Sequence, residues 1–320
     1  MQDVAVILPA FNEELTISAT IEDFHRALPE ASLWVVNNRS TDATYDRASA
    51  TLKALGCRGG VLNEMRKGKG NAIRRAFTQV EADIYVVADA DLTYPAVDVH
   101  VLLAPVVAGE ADMVVGDRHV GGHYAAENKR AFHGFGNRLV RYLVNRLFRA
   151  QLSDILSGYR VFSRRFVKTY PILVDGFEVE TDMTLHALDK RFPIMEIPVG
   201  YRDRPEGSAS KLNTFRDGVR VLKTLLNILR HYRPLVFFGG LALIFLLLGL
   251  LLGLPVLEEW ARTRYINRVP LAILATGVEI IAVVLAAVGL ILDSIVHQDK
   301  RAFERELLHE VFSQRDRVSR

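Results

Sequence analysis

The chain has 320 residues, of which 50% are hydrophobic and 24% are charged, and its mean hydropathy is +0.14. This composition excludes a disordered low-complexity chain, and a net charge of +3 gives no sign of a nucleic-acid partner. The single cysteine, Cys57, excludes an intramolecular disulfide and a metal site built from several cysteines. The first residues lack the basic and apolar regions of a signal peptide, so we expect the first domain to stay in the cytosol.

Short apolar runs alternate with helical patterns in the N-terminal part of the chain. The apolar runs 4–8, 33–36, 84–88 and 113–115 predict strands, and the periodicity predicts helices at 15–28, after Asp42 and at 71–80. This alternation predicts an α/β layer fold with a mostly parallel sheet. A polar cluster follows each predicted strand, and ligands of such sheets bind at the carboxyl ends of the strands. We therefore expect one site built from four strand ends.

A glycine–lysine–glycine turn, residues 68–70, precedes one of the predicted helices. Its glycines allow close approach to the backbone, and Lys67 and Lys69 add positive charge, so the turn favours a phosphate neighbour. Turns of this composition are also common as solvated loops. Neither a P-loop nor a dinucleotide-binding pattern follows the first predicted strand, which argues against those two folds.

Two carboxylates, Asp89 and Asp91, stand one residue apart just after a predicted strand. Such a pair can bind Mg²⁺ together with the oxygens of a diphosphate, because Mg²⁺ prefers a few carboxylates completed by phosphate and water. The cation would neutralise the charge of a departing nucleoside diphosphate. An isolated pair of this kind is often a solvated turn, but the preceding strand and the other polar clusters favour the metal site.

Two long apolar stretches lie near the C-terminus. Residues 235–257 contain no charge and would span about 34 Å as a helix, which is enough to cross a bilayer, and 270–292 contain only Glu279. Residues 234–292 therefore predict a transmembrane hairpin, the alternative being a buried helical hairpin in a soluble core. We expect Glu279 to contact a partner helix, within the hairpin or in a homo-oligomer, with Thr276 as a candidate partner.

The distribution of Lys and Arg predicts the orientation of the hairpin. Eight of these residues flank its two ends and three lie in the connecting loop, which places both termini in the cytoplasm: Arg216, Arg220, Lys223, Arg230, Arg233, Lys300, Arg301 and Arg305 against Arg262, Arg264 and Arg268. Residues 213–233 have an apolar stripe and basic faces, which predicts an amphipathic helix at the membrane surface. The tail, 293–320, shows a weaker version of this pattern. Either stripe could equally pack against the cytosolic domain.

Six motifs in order resemble those of family 2 glycosyltransferases: PAFNEE at 9–14, STD at 40–42, GKG at 68–70, DADLTYP at 89–95, SGYR at 157–160 and RPEGSASKL at 204–212. More narrowly, the chain is similar to the dolichol-phosphate mannose synthase branch of polyprenyl-phosphate glycosyltransferases. The resemblance implies an inverting enzyme with a GT-A (Rossmann-like) fold over 1–212. It also implies that Mg²⁺ or Mn²⁺, a nucleoside-diphosphate sugar, a polyprenyl phosphate and the bilayer are its partners.

Roles are implied at the positions that match these motifs. The nucleotide sugar would meet residues of the first, third and fourth motifs and a strand end: Pro9, Phe11, Glu13, Asn37, Lys69, Asp89, Ala90 and Asp91. The metal would lie on Asp89, Asp91 and Thr93. Positive charge for the diphosphate or acceptor phosphate would come from Arg118, Arg204 and Lys211, which with Asp91 form the expected catalytic set. The acceptor would lie near Ser157, Arg160 and Arg118.

Two positions depart from the family pattern. Asn37 replaces the usual aspartate, which leaves the base open between uridine and guanosine, and Thr93 replaces a frequent glutamine near the metal. The expected function is sugar transfer to a polyprenyl phosphate at the cytoplasmic membrane face. The alternatives are transfer to a lipid or glycan hydroxyl, which requires a base such as Asp154, and a non-catalytic membrane scaffold.

Overall fold

The computed structural model describes residues 2–118, 131–176, 178–202 and 226–318, with the backbone alone for 131–137 and 309–318. The chain forms two compact units, an α/β unit and a helical unit. Within the described part of the α/β unit, seven strands form one sheet: β1 Val4–Ala10, β2 Ser32–Asn37, β3 Gly59–Asn63, β4 Ile84–Val87, β5 Met113–Asp117, β6 Arg160–Ser163 and β7 Ile194–Pro198.

The sheet has the order β3-β2-β1-β4-β6-β5-β7. Strand β6 runs antiparallel to both of its neighbours, whereas the other adjacent pairs are parallel. The prediction of a mostly parallel α/β sheet is therefore confirmed. The central strands are buried on both faces, and all four residues of β4 are buried. This burial explains their continuous apolar sequences, such as IYVV, where a half-exposed strand would alternate.

Helices cover the sheet and connect its strands. The described helices of this unit are α1 Ile17–Ala27, α2 Thr44–Ala54, α3 Lys69–Gln79, α4 Val99–Val107, α5 Ala131–Phe148, α6 Arg164–Thr169 and α7 Val179–Asp189. In α1 the buried residues Ile17, Thr20, Ile21 and Phe24 recur at steps of three and four, as expected for one helical face. Asp42 lies two residues before α2, and its Oδ1 accepts the amide of Thr44, the first residue of the helix, at 3.0 Å.

Two long apolar helices follow, α8 Pro234–Thr263 and α9 Val269–Val318, and the helical unit contains α8 together with α9 as far as Glu306. Both are long and apolar enough to cross a membrane, and only 11% and 17% of their most apolar windows are buried. Such exposure is unlike the core helix of a soluble protein. The apolar side chains that face outwards in α8 are therefore suited to lipid. Helix α9 is continuous over 50 residues, so the predicted second span and the start of the tail share one helix.

Glu279 packs against Gly249 inside the helical unit. A Cβ atom added to Gly249 would lie 2.7 Å from Glu279 Oε1, so the missing side chain makes the space that the carboxyl group fills. Glu279 Oε1 is buried and has no hydrogen-bond partner among the described residues. The predicted partner Thr276 instead donates its hydroxyl to the Ala272 carbonyl at 2.9 Å. The expectation of a helix contact within the hairpin matches this packing.

Candidate active site

The polar clusters that follow the strands lie along one edge of the sheet. Strands β1, β2, β4 and β5 are mutually parallel and end at this edge. Strand β6 has the opposite direction and therefore begins there, with Arg160 opposite Val87 in the register. Ala10 lies opposite Asn37 in the neighbouring pair. The topology thus gathers the segments after β1, β2, β4 and β5 and the SGYR segment before β6 at a single edge.

The segment of residues 89–94 after β4, called the acidic turn below, is held from two sides. Thr16, just before α1, and Thr20, on α1, donate their hydroxyl hydrogens to the Ala90 carbonyl at 2.8 and 3.2 Å. Thr93 donates both its amide and its hydroxyl to Asp91 Oδ1, at 3.2 and 2.6 Å. These bonds fix the backbone between the two aspartates and orient the Asp91 carboxylate, which is only 3% exposed.

Leu92 lies between Asp91 and Thr93 with a φ of +63°. A bulky residue in the left-handed region is disfavoured by about 1–2 kcal/mol, and such conformations are retained where the surrounding bonds enforce them. Here the two Thr93 hydrogen bonds to Asp91 supply that constraint. The surrounding hydrogen bonds therefore hold the acidic turn in a backbone conformation that leucine by itself disfavours.

Asp89 forms an ion pair with Lys69, which also binds Glu180 Oε1 at 2.6 Å. Lys69 and Glu180 side chains are each 8% exposed, whereas that of Asp89 is 29% exposed. Burial opposes the charge of Lys69, but the two carboxylates more than offset it and raise its pKa. Lys69 is therefore a permanent cation that contacts Asp89, the first aspartate of the acidic turn, from inside the protein.

The GKG turn uses its glycines differently from the prediction. The amides of Gly70 and Asn71, at the start of α3, donate to the carbonyls of Gly176 and Asp175 at 3.2 and 3.3 Å. A Cβ atom on Gly68 or Gly70 would collide with the backbone of residues 174–175. The glycines thus allow a protein segment to approach, and its carbonyls satisfy amides that the prediction left for a phosphate. The Lys69 side chain points to carboxylates at this position.

The first motif joins the end of β1 to the segment after β2. Phe11 lies under the Lys67 ammonium, which is 5.3 Å from the ring centroid. The Glu13 amide donates to the Thr44 hydroxyl at 2.8 Å, and its carboxylate oxygen Oε2 lies 3.2 Å from the Thr16 hydroxyl oxygen. Pro9 belongs to β1 itself, one residue before the strand ends. The motif therefore has a fixed backbone with an aromatic ring and a carboxylate beside the acidic turn.

Asn37 ends β2 and its side-chain amide donates to Asn63 Oδ1 at 2.9 Å. The neighbouring Asn38 is 5% exposed and organises the segment before α3. Its Nδ2 donates to the Arg66 carbonyl at 2.6 Å, and its Oδ1 accepts the Gly68 amide at 2.7 Å. Asn38 thus fixes the path of the chain into the GKG turn, a role that nothing in the sequence pattern indicated.

Arg118, directly after β5, forms a two-pronged ion pair with Asp154. Its Nε and Nη2 atoms donate to the two carboxylate oxygens at 2.7 and 2.9 Å. The side chains are 10% and 2% exposed, and the Arg118 guanidinium also lies 5.7 Å from the Tyr201 ring centroid. Paired contacts of this geometry are among the strongest ion pairs in proteins. Asp154 therefore orients the cation.

The SGYR segment is buried and held from behind. Ser157 is fully buried, and its hydroxyl accepts the Tyr159 amide at 3.3 Å. Arg160 is 1% exposed and donates to the carbonyls of Ser157 and Ile155, both at 2.8 Å, and to Thr184 Oγ1 at 2.9 Å. These contacts make Arg160 a support for the segment, where the resemblance implied contact with the acceptor.

Asp89, Asp91 and Thr93 offer hard oxygen donors suited to Mg²⁺ or Mn²⁺. No group of three or more His, Cys, Asp or Glu that could hold a metal occurs among the residues that the structure describes. A cation here would depend mainly on Asp91, since Lys69 engages Asp89, and would complete its shell with diphosphate and water. The other two predicted cations, Arg204 and Lys211, lie outside the described residues.

Several residues of this edge had no sequence signal. Glu180 lies in the first turn of α7 and belongs to none of the six motifs. Thr16 and Thr20 were predicted only as residues of a helix. Tyr94 belongs to the DADLTYP motif, but no role was predicted for its side chain. Its hydroxyl accepts the Gly158 amide at 3.0 Å and so links the acidic turn to the SGYR segment. Burial raises the pKa of Tyr94 to about 12, so it remains protonated.

Comparisons with known proteins show that this chain is similar to glycosyltransferases. Glycosyltransferase AglJ of Haloferax volcanii is 29% identical over 303 residues, which cover 94% of this chain and 96% of the relative. The dolichyl-phosphate hexose transferase of the same organism is 25% identical over 226 residues, covering 71% of this chain and 93% of the relative. The resemblance to polyprenyl-phosphate glycosyltransferases is thus confirmed by relatives that bear such names.

A crystal structure of the glucosyl-3-phosphoglycerate synthase of Mycobacterium tuberculosis with Mn²⁺, UDP and glucosyl-3-phosphoglycerate has a similar fold. The TM-score is 0.54 at 25% identity, over 71% of this chain and 79% of that one. The family model for glycosyl transferase family 2 matches residues 5–170, which include the acidic turn, the GKG turn and the SGYR segment. With its mixed sheet and the site at one sheet edge, this chain belongs to glycosyl transferase family 2.

Proposed function

We propose that this glycosyltransferase moves a sugar from a nucleoside-diphosphate sugar to a polyprenyl phosphate at the cytoplasmic face of a membrane. The relative named as a dolichyl-phosphate hexose transferase supports this acceptor. The two apolar helices support an acceptor in the bilayer. The preponderance of Lys and Arg at the outer ends of the hairpin supports the cytoplasmic orientation.

The Arg118–Asp154 ion pair is the observation that carries the choice of acceptor. A hydroxyl acceptor needs a base, and Asp154 was the first candidate for that role. Both oxygens of Asp154 accept from Arg118, so its charge is committed to orienting a cation. A phosphate monoester has a second pKa near 6 and is largely dianionic at neutral pH, so it can attack without a base.

The proposed reaction forms one bond and breaks one. A phosphate oxygen of the lipid attacks the anomeric carbon, the bond from that carbon to the β-phosphate oxygen breaks, and the nucleoside diphosphate leaves. Asp91 and Asp89 would hold Mg²⁺ or Mn²⁺, which when bound neutralises diphosphate charge. Arg118 would bring the diphosphate and the acceptor phosphate together. Its positive charge would offset the repulsion between these two anions, which is the main barrier to this reaction. Asn37, Phe11 and Glu13 would border the nucleoside.

Reconstitution tests the proposal directly. The purified full chain in nanodiscs is mixed with Mn²⁺ or Mg²⁺, a panel of labelled UDP- and GDP-sugars, and undecaprenyl or dolichyl phosphate. We expect an organic-extractable, acid-labile product with the sugar on the lipid phosphate, and no product with Asp91→Ala. A product formed only on a lipid hydroxyl would reject the phosphate acceptor while keeping the enzyme class. Nucleotide binding without any turnover would favour the scaffold.

A further inference from the structure

Lys69 lies between two carboxylates that come from distant parts of the chain. Its Nζ atom contacts Asp89 in the acidic turn and lies 2.6 Å from Glu180 Oε1 in the first turn of α7. Asp89 is the partly exposed member of the trio, whereas Lys69 and Glu180 are buried behind it. Glu180 therefore touches the acidic turn only through Lys69 in the described contacts, from the side away from solvent.

Glu180 has a second feature that packing alone does not explain. Glu180 is only 6% exposed, and its Oε2 atom is buried without a hydrogen-bond partner among the described residues. Burying a carboxylate oxygen in this way costs free energy, and few native groups are left so. A glutamine could keep the neutral packing without a buried negative charge. The charge of Glu180 is thus retained at a cost, which indicates a role for that charge.

The position of Lys69 is enforced by the segment opposite it. A Cβ atom on Gly158 would lie 2.7 Å from Asp89 Oδ2 and 2.9 Å from Lys69 Nζ, so the SGYR backbone closes over the ion pair. Arg160 lies behind the same segment, where burial lowers the pKa of its guanidinium and the charges of Glu180 and Asp154 partly oppose this. Lys69 is therefore confined beside the two carboxylates, and the charge on Glu180 decides how its positive charge is shared.

We propose that Glu180 is a positioning residue for the nucleotide-sugar site, acting on Asp89 through Lys69. With Glu180 ionised, one ammonium is shared by two carboxylates, and Asp89 retains negative charge towards its exposed side. With a neutral residue at 180, the whole charge of Lys69 would fall on Asp89 and cancel it. The inference rests on the proposed function to the extent that Asp89 is assigned to the nucleotide and its cation.

The test is Glu180→Gln in the full chain, purified in detergent, with Asp182→Asn as the matched control. Asp182 is a half-buried acid on α7, but its carboxylate accepts the Tyr170 hydroxyl at 2.6 Å, away from Lys69. Titration calorimetry measures binding of UDP and GDP with Mn²⁺, and steady-state assays measure KM for the nucleotide sugar and kcat. We expect Glu180→Gln to raise the dissociation constant and KM about tenfold, with kcat changed by less than about threefold.

A double-mutant cycle separates this role from general packing. If Glu180 acts through Lys69, Glu180→Gln should weaken nucleotide binding in the native background and have no further effect in Lys69→Met. Should Glu180→Gln fail to fold, Glu180→Asp keeps the charge and is expected to bind nucleotide within about threefold of the native chain. Unchanged binding in Glu180→Gln with a lowered Tm, or equal effects in both backgrounds, would overturn the inference. Absence of Mn²⁺-dependent nucleotide binding in the native chain would instead reject the proposed function, and the inference with it.

Discussion

The hydroxyl of Tyr94 accepts the backbone amide of Gly158 at 3.0 Å, and this bond joins two segments that are 64 residues apart. Tyr94 ends the acidic turn that would hold the nucleotide and its cation. Gly158 belongs to the segment implied for the acceptor. The two sides of the proposed reaction are therefore mechanically connected through one buried side chain.

Gly158→Ala should impair the site more than the fold. The added methyl group would lie 2.7 Å from Asp89 Oδ2 and would push this carboxylate or the backbone aside. We expect kcat/KM to fall by about tenfold or more, because displacements near 1 Å at a site have effects of that size. Gly60→Ala is the control, since its nearest neighbour would be a Trp34 ring carbon at 4.0 Å. Equal activity of the two variants would contradict the tight contact.

Asp91→Asn should remove metal-dependent nucleotide binding. The amide keeps the shape of the carboxylate but loses the charge that a divalent cation needs. Calorimetry with UDP or GDP and Mn²⁺ should show a loss of about tenfold or more in affinity, and EDTA should reduce the native chain to the same level. Asp46→Asn, an exposed acid on α2, is the control and should bind as the native chain does. Binding by Asp91→Asn that still responds to Mn²⁺ would place the cation elsewhere.

Asp154→Asn should destabilise the α/β unit strongly. The change leaves the buried Arg118 guanidinium without its counter-charge, and breaking such a pair costs about 3–5 kcal/mol. The double variant Arg118→Met/Asp154→Leu should recover most of this stability, because neither charge of this pair then remains without its partner. It should nevertheless stay inactive, since the proposed cation for the diphosphate is gone. Thermal unfolding and the glycolipid assay together check both expectations, and an active double variant would remove Arg118 from the site.

The pH dependence of stability should change in Asp182→Asn. Burial raises the pKa of Asp182 above its ordinary value, although the Tyr170 hydroxyl partly opposes this. The protonated form is therefore favoured in the folded protein, and the stability it contributes is lost as pH rises from about 4 through the raised pKa. Asparagine cannot ionise, so the Tm of the variant relative to the native chain should increase over this interval. A difference that is constant with pH would contradict the raised pKa of this carboxyl.

Gly249→Leu should destabilise the helical unit in detergent. Its Cβ atom would lie 2.9 Å from Cγ and Cδ of Glu279, so the larger side chain must separate the two helices. Overpacking of this kind costs about 1–3 kcal/mol. Gly253→Leu is the matched control, because nothing lies within 4 Å of its added Cβ. Equal Tm values for the two variants would show that α8 and α9 do not pack through Gly249.

The apolar patterns predicted most of the sheet because its central strands are buried on both faces. Strand β3 was missed, since its sequence begins Gly59-Gly60 and its residues are half-exposed or exposed. Strand β7 was also missed, because its residues alternate with only partial burial. The two edge strands that were missed are stabilised by pairing with a neighbour. The central strand β6 was missed as well, although it is largely buried, because it has only four residues and begins with the arginine of the SGYR motif.

The candidate site was predictable where one motif carries its own chemistry, as with Asp89 and Asp91. It was not predictable where partners are distant in the chain, as with Lys69 and Glu180. The GKG turn illustrates a different limit. Glycine permits close approach of another group without specifying which group it is. Here the backbone of residues 174–176 packs against the turn, where the sequence favoured a phosphate.

The reversed direction of β6 has a consequence for how such enzymes diversify. Because β5 ends and β6 begins at the same edge, the excursion of the chain between these two strands begins and ends on the side of the candidate site. Insertions or deletions in this excursion would leave the hydrogen-bond ladders of β4, β6 and β5 in place. Under the proposed function, such changes would alter the acceptor side of the site, to which Arg118 and the SGYR segment belong, and would leave the acidic turn after β4 unchanged.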